Sequence, residues 1–375
     1  MSGAESKWQA VRQIVDSDLT PLVHKIDRDG LYPEDVLRRL GKAGLYAPHA
    51  GPEANLWDAI DGMAIVGETC LSTAFAVWCQ DACGWYLANS ENAALRDASL
   101  PHIVTGDLLG GTGLSNPMKA YAGIEGLRLT GEPVEGGYLV SGVLSWVSNL
   151  GADHVFGAIF GVPGRSQSVM ALIRCDQPGI TIDQRNHFCA LEGTRTVVVM
   201  FKKVFVAQSQ ILADPAEPYL VRITPGFILL QAGMALGLMR GAIKAMTDAD
   251  VTHGHINAFL PDRPELFAET LEGLEQTVRT LCETPFENDP DYMRSLLEAR
   301  LAAAEWVLKA VNAAMLHAGT KGYLIDGAAQ RRLREAYFIA IVTPSIKHLR
   351  KELQDIAQGR GCMRSWKQNQ VCVPA

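Results

Sequence analysis

The order in which the hydrophobic period changes along this chain limits its fold more than any other feature of the sequence. Up to about Gly106 the apolar residues repeat with a helical period, as in LYPEDVLRRLGKAGL. From about Asp107 to Pro215 the pattern changes to short β-branched and aromatic runs separated by Gly, Pro, Asn and Asp, as antiparallel strands require. After Pro225 the helical period returns in several long segments. Helices, then strands, then helices do not give the alternating pattern of a dinucleotide-binding fold.

This order predicts an α+β multidomain protein with three parts. An amino-terminal helical domain covers residues 1–106, a middle domain built as an antiparallel β-barrel or sandwich covers 107–215, and a carboxyl-terminal four-helix bundle covers 216–375. The final helices carry apolar residues on more than one side, so an isolated subunit would expose a large apolar patch. We therefore expect a homo-oligomer.

Composition excludes several classes of protein. The chain has 34 Lys and Arg against 41 Asp and Glu, a net charge of -7, and so lacks the basic surface that nucleic acid requires. Its eight cysteines are spread thinly over 375 residues, which indicates reduced thiols rather than a disulfide framework. We find no secretory h-region and no run of roughly 18 apolar residues, which predicts a soluble, cytoplasmic protein with no membrane partner.

Several short motifs favour ordinary structure over a functional site. The glycine cluster GGTGLSN, from Gly110 to Asn116, lacks the third glycine of the dinucleotide fingerprint and is not expected to open a helix, which disfavours NAD binding. It also lacks the glycine that follows the serine of a hydrolase elbow. His253 and His255 have no nearby Cys pair or Glu-x-x-His motif, so we interpret them as part of a solvated loop and predict no metal site. Cys79 and Cys83 are expected in the core.

Two segments of the middle part, GTGLSNPMKAYAG and GGYLVSGVLSWVSNLGADH, carry the most informative candidate site. Trp146 and Ser148 follow a strand and a glycine turn, which places an indole plane and a hydroxyl together near a strand end. Such a pair could stack on a flat heteroaromatic group and hydrogen-bond to it, while backbone N–H groups near Leu114 and Ser115 reach its carbonyls.

These segments resemble those of the acyl-CoA dehydrogenase family. The Thr-Glu-Pro loop of that family corresponds to Ser115-Asn116-Pro117, and its Trp-Ile/Val-Thr/Ser-Asn segment on the flavin corresponds to Trp146-Val147-Ser148-Asn149. The resemblance extends over nearly the full chain: LYPEDVLRRLGKAGLYAP, GTRTVVVMFKKVFVAQSQIL, LLQAGMALGLMRGAIKA and GTKGYLIDGAAQRRLREA are similar to family segments in the same order. It implies the family's three-domain fold and a homotetramer.

The resemblance also implies a cofactor, FAD, with FMN as the alternative. The backbone near Thr112 and Leu114, with Ser115, would contact the pyrimidine edge of the flavin. Trp146 would pack on the isoalloxazine, and Ser148 would place a hydrogen-bond donor near N5. The implied reaction is oxidation of a small substrate, an acyl-CoA or another CoA thioester, at Cα–Cβ. The implied partners are an electron acceptor or a flavin reductase.

The chain departs from the family where the catalytic base should be. The position of the usual glutamate falls on Thr343, and the position that some members use instead falls near Gly226 and Phe227. A threonine hydroxyl is far too weak a base to remove a proton beside a thioester. Asp248 and Asp250 are the remaining candidates, although charged residues on a helix usually form a solvated face. The catalytic residues are therefore unassigned.

Two further departures concern ligand contacts. The residues after Asn116-Pro117 read MKAYAG in place of the usual small residues with Ser-Asp. His253 stands near the arginine that a neighbouring subunit normally lends to the FAD diphosphate, and its imidazole is a weaker, titratable partner for phosphate.

Three hypotheses remain open at this point. The first, which we prefer because the resemblance covers three domains while the departures are local, is an acyl-CoA dehydrogenase-like flavoprotein oxidoreductase. The second is a flavin-dependent monooxygenase or oxidase of the same fold, whose flavin is reduced by a partner. The third is a non-catalytic family member that has lost flavin.

Overall fold

The structure is a computed structural model that describes residues 7–51, 54–184 and 187–360. Helices lie at both ends of the described chain and the strands lie between them, as the sequence predicts. The helices are α1 Gln9–Ile14, α2 Val23–Arg28, α3 Glu34–Lys42, α4 Leu56–Thr69, α5 Leu71–Ala88, α6 Ala93–Thr105, α7 Ser115–Tyr121, α8 Ala216–Leu230, α9 Ala232–Asn257, α10 Pro264–Leu281, α11 Pro290–Tyr323, α12 Ala328–Ile341 and α13 Ile346–Ala357.

The strands are β1 Gly110–Thr112, β2 Leu129–Val134, β3 Gly137–Val147, β4 Val155–Gly161, β5 Ser168–Arg174, β6 Ile180–Asp183, β7 Val197–Ala207 and β8 Ile211–Ala213. They form one sheet whose order is β6-β7-β3-β2-β4-β5-β8, with β1 beside β4. Most neighbours are antiparallel, as expected, but β1 pairs with β4 in parallel, and β2 touches β4 in parallel at one residue pair.

Two hydrophobic clusters hold these elements together. The larger joins the helices of both ends of the chain and one side of the sheet, and the smaller fills the interior of the β region. Helix α5 is buried from Leu71 to Leu87, which explains why its sequence is apolar on all sides. In the carboxyl-terminal region α9, α10, α11 and α12 pack against one another, as a helical bundle requires.

The helices after the sheet begin earlier than the sequence pattern indicated. Helix α8 already starts at Ala216 and carries Pro225 in its interior, and Gln231 alone separates it from α9. A proline removes one helical hydrogen bond, but the burial of most of α8 stabilises the helix on both sides of it. The expectation that the helical period returns only after Pro225 was therefore wrong.

Two other local expectations were also wrong. The cluster GGTGLSN does open a helix, since α7 begins at Ser115, although that helix has only seven residues. His253 and His255 lie on α9 rather than in a loop, on its exposed carboxyl-terminal turns. In the described ranges no group of three or more His, Cys, Asp or Glu residues is placed to hold a metal.

The cysteine interpretation holds where it can be checked. Cys79 and Cys83 are buried core residues, and the six cysteines of the described ranges are free thiols. Cys362 and Cys372 lie outside the described residues.

The chain does contain a stretch apolar enough to cross a membrane by length and composition, contrary to the sequence expectation. It falls within Ala216–Asn257, where an 18-residue window has a mean hydropathy of 1.5. Inside the protein 89% of that window is buried, as in a core helix. Its apolar character is thus explained by packing between the bundle and the amino-terminal helices.

Candidate functional site

A groove lies where the segment after β1 faces the end of β3. It brings together Ser115 and Trp146, two of the predicted site residues, with charged side chains that sequence reasoning missed. The groove is lined by Gly113, Ser115, Asn116, Lys119, Glu125, Arg128, Leu144, Ser145, Trp146 and Val147.

Strand β1, which leads into the groove at Gly113, is fixed by the amino-terminal helices. Gln80 on α5 donates from Nε2 to the carbonyls of Ile103 and Leu108, at 2.8 and 2.9 Å, and its Oε1 accepts from the N–H of Gly110 at 2.6 Å. Tyr86, also on α5, shares a 2.7 Å hydrogen bond between its Oη and Thr112 Oγ1. Two residues of α5 therefore hold β1. The Thr112 hydroxyl is thus already bonded to Tyr86, and the residue is buried.

The glycines before α7 serve the packing of β1. A Cβ on Gly111 would collide with the carbonyl oxygen of Ser148, and one on Gly113 would lie 3.0 Å from the carbonyl oxygen of Gly157. The cluster thus allows β1 to pass closely between its neighbours. This close packing, and not a dinucleotide fingerprint, explains the glycines of GGTG.

Asn149, directly after the Trp146-Val147-Ser148 segment, joins the end of β3 to β1. It is fully buried in the left-handed region at φ 63°, which asparagine tolerates better than most residues. Its Oδ1 accepts from Tyr32 Oη at 2.6 Å, and its Nδ2 donates to the carbonyl of Gly110 at 2.7 Å. Asn149 is therefore a structural residue that positions the predicted flavin segment.

We expect Asn149→Ala to lower the free energy of unfolding by about 2–4 kcal/mol. The change leaves the Tyr32 hydroxyl and the Gly110 carbonyl without partners, at ~1–3 kcal/mol each when buried, and places alanine at a positive φ. Urea unfolding followed by circular dichroism measures the loss. Asn89→Ala is a matched control, since the Asn89 side chain donates to the Trp85 carbonyl one turn earlier in α5. Equal losses in the two variants would contradict the role given to Asn149.

Trp146 presents an open aromatic face to the groove. The residue is 49% exposed, and the Phe188 ring lies 6.0 Å away at an angle of 57°, so that it does not stack on the indole. A large aromatic side chain left half exposed beside a groove is the usual form of a ligand contact. The exposed face of the indole therefore leaves room for the predicted stacking against a flat ring.

Ser148 is buried and belongs to a line of three hydroxyls. Thr194 Oγ1 donates to the carbonyl of Leu191 at 2.7 Å, so it can bond Thr196 Oγ1, 2.8 Å away, only as an acceptor. Thr196 then donates to Thr194 and must accept from Ser148 Oγ, which lies 2.6 Å away. The Ser148 proton is therefore committed to Thr196. Ser148 can offer a further partner a lone pair rather than the donor that sequence analysis expected.

The outer rim of the groove carries a small ion network. Asn116 Nδ2 donates to Glu125 Oε1 at 2.8 Å, and Lys119 Nζ lies 3.0 Å from the same oxygen. Burial alone would raise the pKa of Glu125, but these two hydrogen bonds, with Arg128 nearby, hold that pKa below its ordinary value. The carboxylate is thus ionised and already bonded, which makes it a poor base. Two cations against one anion leave the rim positive.

A pair of hydroxyls lies where Ser115, which lines the groove, meets Thr343, and we call this place the inner end of the groove. Ser115 Oγ lies 3.0 Å from Thr343 Oγ1, which joins the β region to the loop after α12. Thr343 is held in turn by Gln231, whose Nε2 donates to the Thr343 carbonyl at 2.9 Å. A threonine thus occupies the point at which a family glutamate was expected, and its neighbour is another neutral hydroxyl.

The five predicted contacts divide into two groups. Ser115 and Trp146 line the groove, whereas Thr112, Leu114 and Ser148 are buried beneath it. Thr112 and Ser148 form an isolated β-bridge with each other, so all five belong to one local structure. Their contact with a flavin stays a prediction.

The two aspartates considered as bases are engaged elsewhere. Asp248 is exposed and forms an ion pair with Lys244 at 2.8 Å. Asp250 bonds His317 at 2.9 Å and Arg263 at 2.9 Å within the bundle. Both have structural partners, and neither lines the groove.

The known proteins to which this chain is similar are of one kind. The family described as acyl-CoA dehydrogenase, N-terminal domain, matches residues 5–107. The probable acyl-CoA dehydrogenase YngJ of Bacillus subtilis is 22% identical over 361 residues, with 89% of this chain and 92% of that protein covered. Benzylmalonyl-CoA dehydrogenase of Aromatoleum aromaticum is 23% identical over 342 residues, with 87% and 90% covered.

Solved structures show the same fold over the whole chain. The glutaryl-coenzyme A dehydrogenase complex with glutaryl-CoA superposes with a TM-score of 0.84 at 17% identity and covers 100% of this chain and 99% of its own. The prolyl acyl carrier protein oxidase AnaB gives 0.81 at 15% identity, covering 95% and 99%. The FAD complex of PigA gives 0.81 at 14% identity, covering 96% and 99%. The predicted architecture is confirmed.

Proposed function

We propose that this chain, which is similar to acyl-CoA dehydrogenases over most of its length, is an FAD-dependent oxidoreductase of that family. The relatives named above are dehydrogenases of CoA thioesters, and PigA, which shares the fold, forms a complex with FAD. The observation that carries the proposal is the half-exposed Trp146 indole in a groove whose rim is positive.

The residues of the groove fit FAD in their chemistry. FAD combines a flat tricyclic ring with a diphosphate, and the groove combines an open indole face with the cations of Lys119 and Arg128. Ser148, whose proton is committed to Thr196, suits a ring position that carries hydrogen, because it can only accept. When bound, FAD supplies the two-electron acceptor. Trp146, Lys119 and Arg128 would hold it, and Ser148 would orient the ring.

Reconstitution of the apoprotein tests this proposal. The purified chain, freed of any flavin and incubated with FAD, should acquire the visible absorption of a bound flavin, and FMN should bind more weakly because it lacks the second phosphate. A chain that takes up neither flavin would contradict the proposal and favour a non-catalytic family member.

For the reaction itself we propose oxidation of a small substrate, a CoA thioester or a related acyl compound, at Cα–Cβ. The similarity to a probable acyl-CoA dehydrogenase and to benzylmalonyl-CoA dehydrogenase supports this choice. In this chain the step would have to use a base other than Thr343, because a neutral hydroxyl cannot take the α-proton at neutral pH. Gln231 and Ser115 would only orient the Thr343 loop.

A second candidate reaction is favoured by the Ser115–Thr343 hydroxyl pair. An oxidase or monooxygenase whose flavin arrives reduced by a partner reductase has no need of a base at this position, and AnaB, which shares the fold, is an oxidase. Two measurements separate the candidates: bleaching of bound flavin by a panel of acyl-CoA thioesters without oxygen, and the rate at which the reduced protein consumes oxygen. Bleaching by a thioester supports the dehydrogenase; rapid oxygen consumption without bleaching supports the second candidate.

Thr343→Glu should create thioester dehydrogenation or increase it at least tenfold. The half-buried position lies next to Ser115 at the inner end of the groove, and a carboxylate there supplies the missing general base. The anaerobic bleaching rate with butyryl-CoA measures the gain. Thr343→Gln is the control, since it has the same size and no basicity. If the two variants bleach equally slowly, the groove does not hold a thioester beside residue 343.

We also propose a homo-oligomer, a tetramer by the family pattern. Large apolar side chains are exposed just after α9 and around the end of α11, among them Phe259 at 83%, Tyr323 at 81% and Ile325 at 67%. Such exposure is typical of subunit contacts. Light scattering of the eluting protein measures the mass directly, and a monomer of 40.7 kDa would contradict the proposal.

We also propose a cytoplasmic location, because the apolar stretch in α8 and α9 is packed inside the protein rather than open to a membrane. Fractionation of cells that produce the tagged chain would decide the matter.

A further inference from the structure

A buried arginine lies behind the hydroxyl pair of the groove. Arg300, on α11, is 3% exposed. Its Nε donates to Gln231 Oε1 at 2.9 Å and its Nη2 donates to the Ile339 carbonyl at 2.9 Å. Its Nη1 is buried without a hydrogen-bond partner in the described part of the chain. All its bonds are to neutral acceptors.

Burying a guanidinium without a carboxylate partner costs several kcal/mol, and the buried Arg331 avoids this by pairing with Glu335 at 2.9 Å. No carboxylate of the described residues lies within ion-pair distance of Arg300, and desolvation lowers its pKa to about 10, which keeps it charged at neutral pH. Arg332 is a second arginine of this kind, with a pKa that desolvation also lowers to about 10 and a hydrogen bond to the Glu68 carbonyl.

The position of Arg300 distinguishes it from Arg332. Gln231 accepts from Arg300 and donates to the Thr343 carbonyl, and Thr343 shares its hydroxyl bond with Ser115 at the groove. The charge therefore lies a short line of hydrogen bonds from the inner end of the groove, which contains only neutral hydroxyls. A dehydrogenase would need a negative base at this place, whereas this chain has a positive potential behind it.

We propose that Arg300 makes the inner end of the groove a subsite for an anion, and that the substrate carries a carboxylate next to Ser115 and Thr343. Arg300 acts as a positioning residue: it fixes Gln231 and the Thr343 loop, and its field stabilises the bound negative charge. The inference rests on the proposed function in that the groove holds FAD and the substrate lies next to it, beside residue 343. It goes further by naming a carboxylate as the group recognised there.

The probes are benzoate and benzamide, which share a shape and differ in charge. The FAD-loaded protein is titrated with each, and binding is followed by the shift in flavin absorption and by the rise in Tm. We expect benzoate to bind at least tenfold more tightly than benzamide. Absence of any preference would overturn the proposal.

Variants test whether the preference for benzoate over benzamide depends on Arg300. In Arg300→Met we expect it to disappear, and in Arg300→Lys, which keeps the charge, to remain within about threefold of the wild type. Arg332→Met is the matched control, because Arg332 bonds the Glu68 carbonyl away from the groove. A purely structural Arg300 would destabilise the Met and Lys variants alike and leave the benzoate preference unchanged, which would overturn the proposal.

Salt provides a test that does not depend on the folding of any variant. At 1 M salt the screening length is about 3 Å, so the exposed rim cations Lys119 and Arg128 lose most of their effect, whereas a buried charge is screened much less. A benzoate preference that persists at 1 M salt supports Arg300, and one that disappears assigns it to the rim and overturns the proposal.

Failure of flavin binding remains distinguishable from failure of the subsite. If the chain takes up no FAD, the proposed function fails, and the same benzoate and benzamide comparison is made on the apoprotein by Tm. A benzoate-specific rise that Arg300→Met abolishes supports the anion subsite by itself. Equal shifts with the two compounds overturn it.

Discussion

Replacing Trp146 by alanine is expected to weaken FAD binding by about 10- to 100-fold and to change the free energy of unfolding by less than about 1 kcal/mol. Stacking of a flat heteroaromatic ring on an indole contributes ~1–3 kcal/mol, and tenfold in affinity corresponds to about 1.4 kcal/mol. The fold loses little because half of the Trp146 side chain is already exposed. Quenching of FAD fluorescence on binding measures the affinity, and urea unfolding measures the stability.

Trp85→Ala is the matched control and should behave in the opposite way. Trp85 is 1% exposed, and its Nε1 donates to the carbonyl of Ile223 at 2.8 Å, so it joins α5 to α8 within the core. Removing it leaves a cavity and breaks the hydrogen bond between α5 and α8, for which we expect a loss of about 3–5 kcal/mol. Flavin affinity at a temperature where the variant is folded should change little. A Trp146 variant with wild-type affinity would remove the indole from the flavin site.

Asp81→Asn is expected to stabilise the protein, by an amount that increases with pH above about 4. Asp81 is fully buried on α5, and neither carboxylate oxygen has a hydrogen-bond partner in the described residues. Desolvation raises its pKa well above the ordinary 3.8. Above pH 3.8 the unfolded chain releases this proton, whereas the folded chain retains it up to its raised pKa. Asparagine is neutral at every pH and avoids this cost.

The direction of this pH dependence follows from the number of protons that the folded and unfolded states bind. Between the two pKa values of Asp81 the folded state holds the extra proton, so stability falls as pH rises, by up to about 1.4 kcal/mol per pH unit. His49, whose Nε2 lies 3.9 Å from Asp81 Oδ1, has the reverse effect, because burial lowers its pKa to about 4 and stability rises between pH 4 and 6.5. His49 remains in both proteins, so its contribution largely cancels from their difference.

The measurement is the difference in unfolding free energy between Asp81→Asn and the wild type at pH 4.5, 6 and 7.5. The exposed Asp248 gives the control variant Asp248→Asn, which should show a small and nearly constant difference. A difference for Asp81→Asn that stays constant over this range would mean that the Asp81 carboxyl is solvated or bonded when the protein is folded.

Much of the architecture could be predicted because hydrophobic period is a local property. The helical period of α3 and the apolar length of α5 place helices correctly, and alternating runs such as that of β7 place strands. Boundaries were less predictable where packing overrides local preference. Pro225 is usually a helix boundary, yet α8 continues through it because the surrounding residues are buried. His253 and His255 look like loop residues and extend a helix instead.

The candidate site was predictable only in part. Trp146 and Ser115 were found from the resemblance of their segments, and the structure brings them into one groove. The direction of the Ser148 hydroxyl was not predictable, because it is set by Thr194 and Thr196, about fifty residues further along the chain. Lys119 and Arg128 were missed since nothing in the local pattern distinguishes them from surface charges.

The sequence by itself determined which segments are helices and strands, the order of the three regions and the absence of a carboxylate at Thr343, because each depends on residue type at a given place in the chain. Only the tertiary structure decided what surrounds that threonine. Ser115, Gln231 and Arg300 come from separate elements, and their meeting depends on how the sheet packs against the bundle. Charge and hydrogen bonding act over a few ångströms in space, whereas the sequence records only distance along the chain.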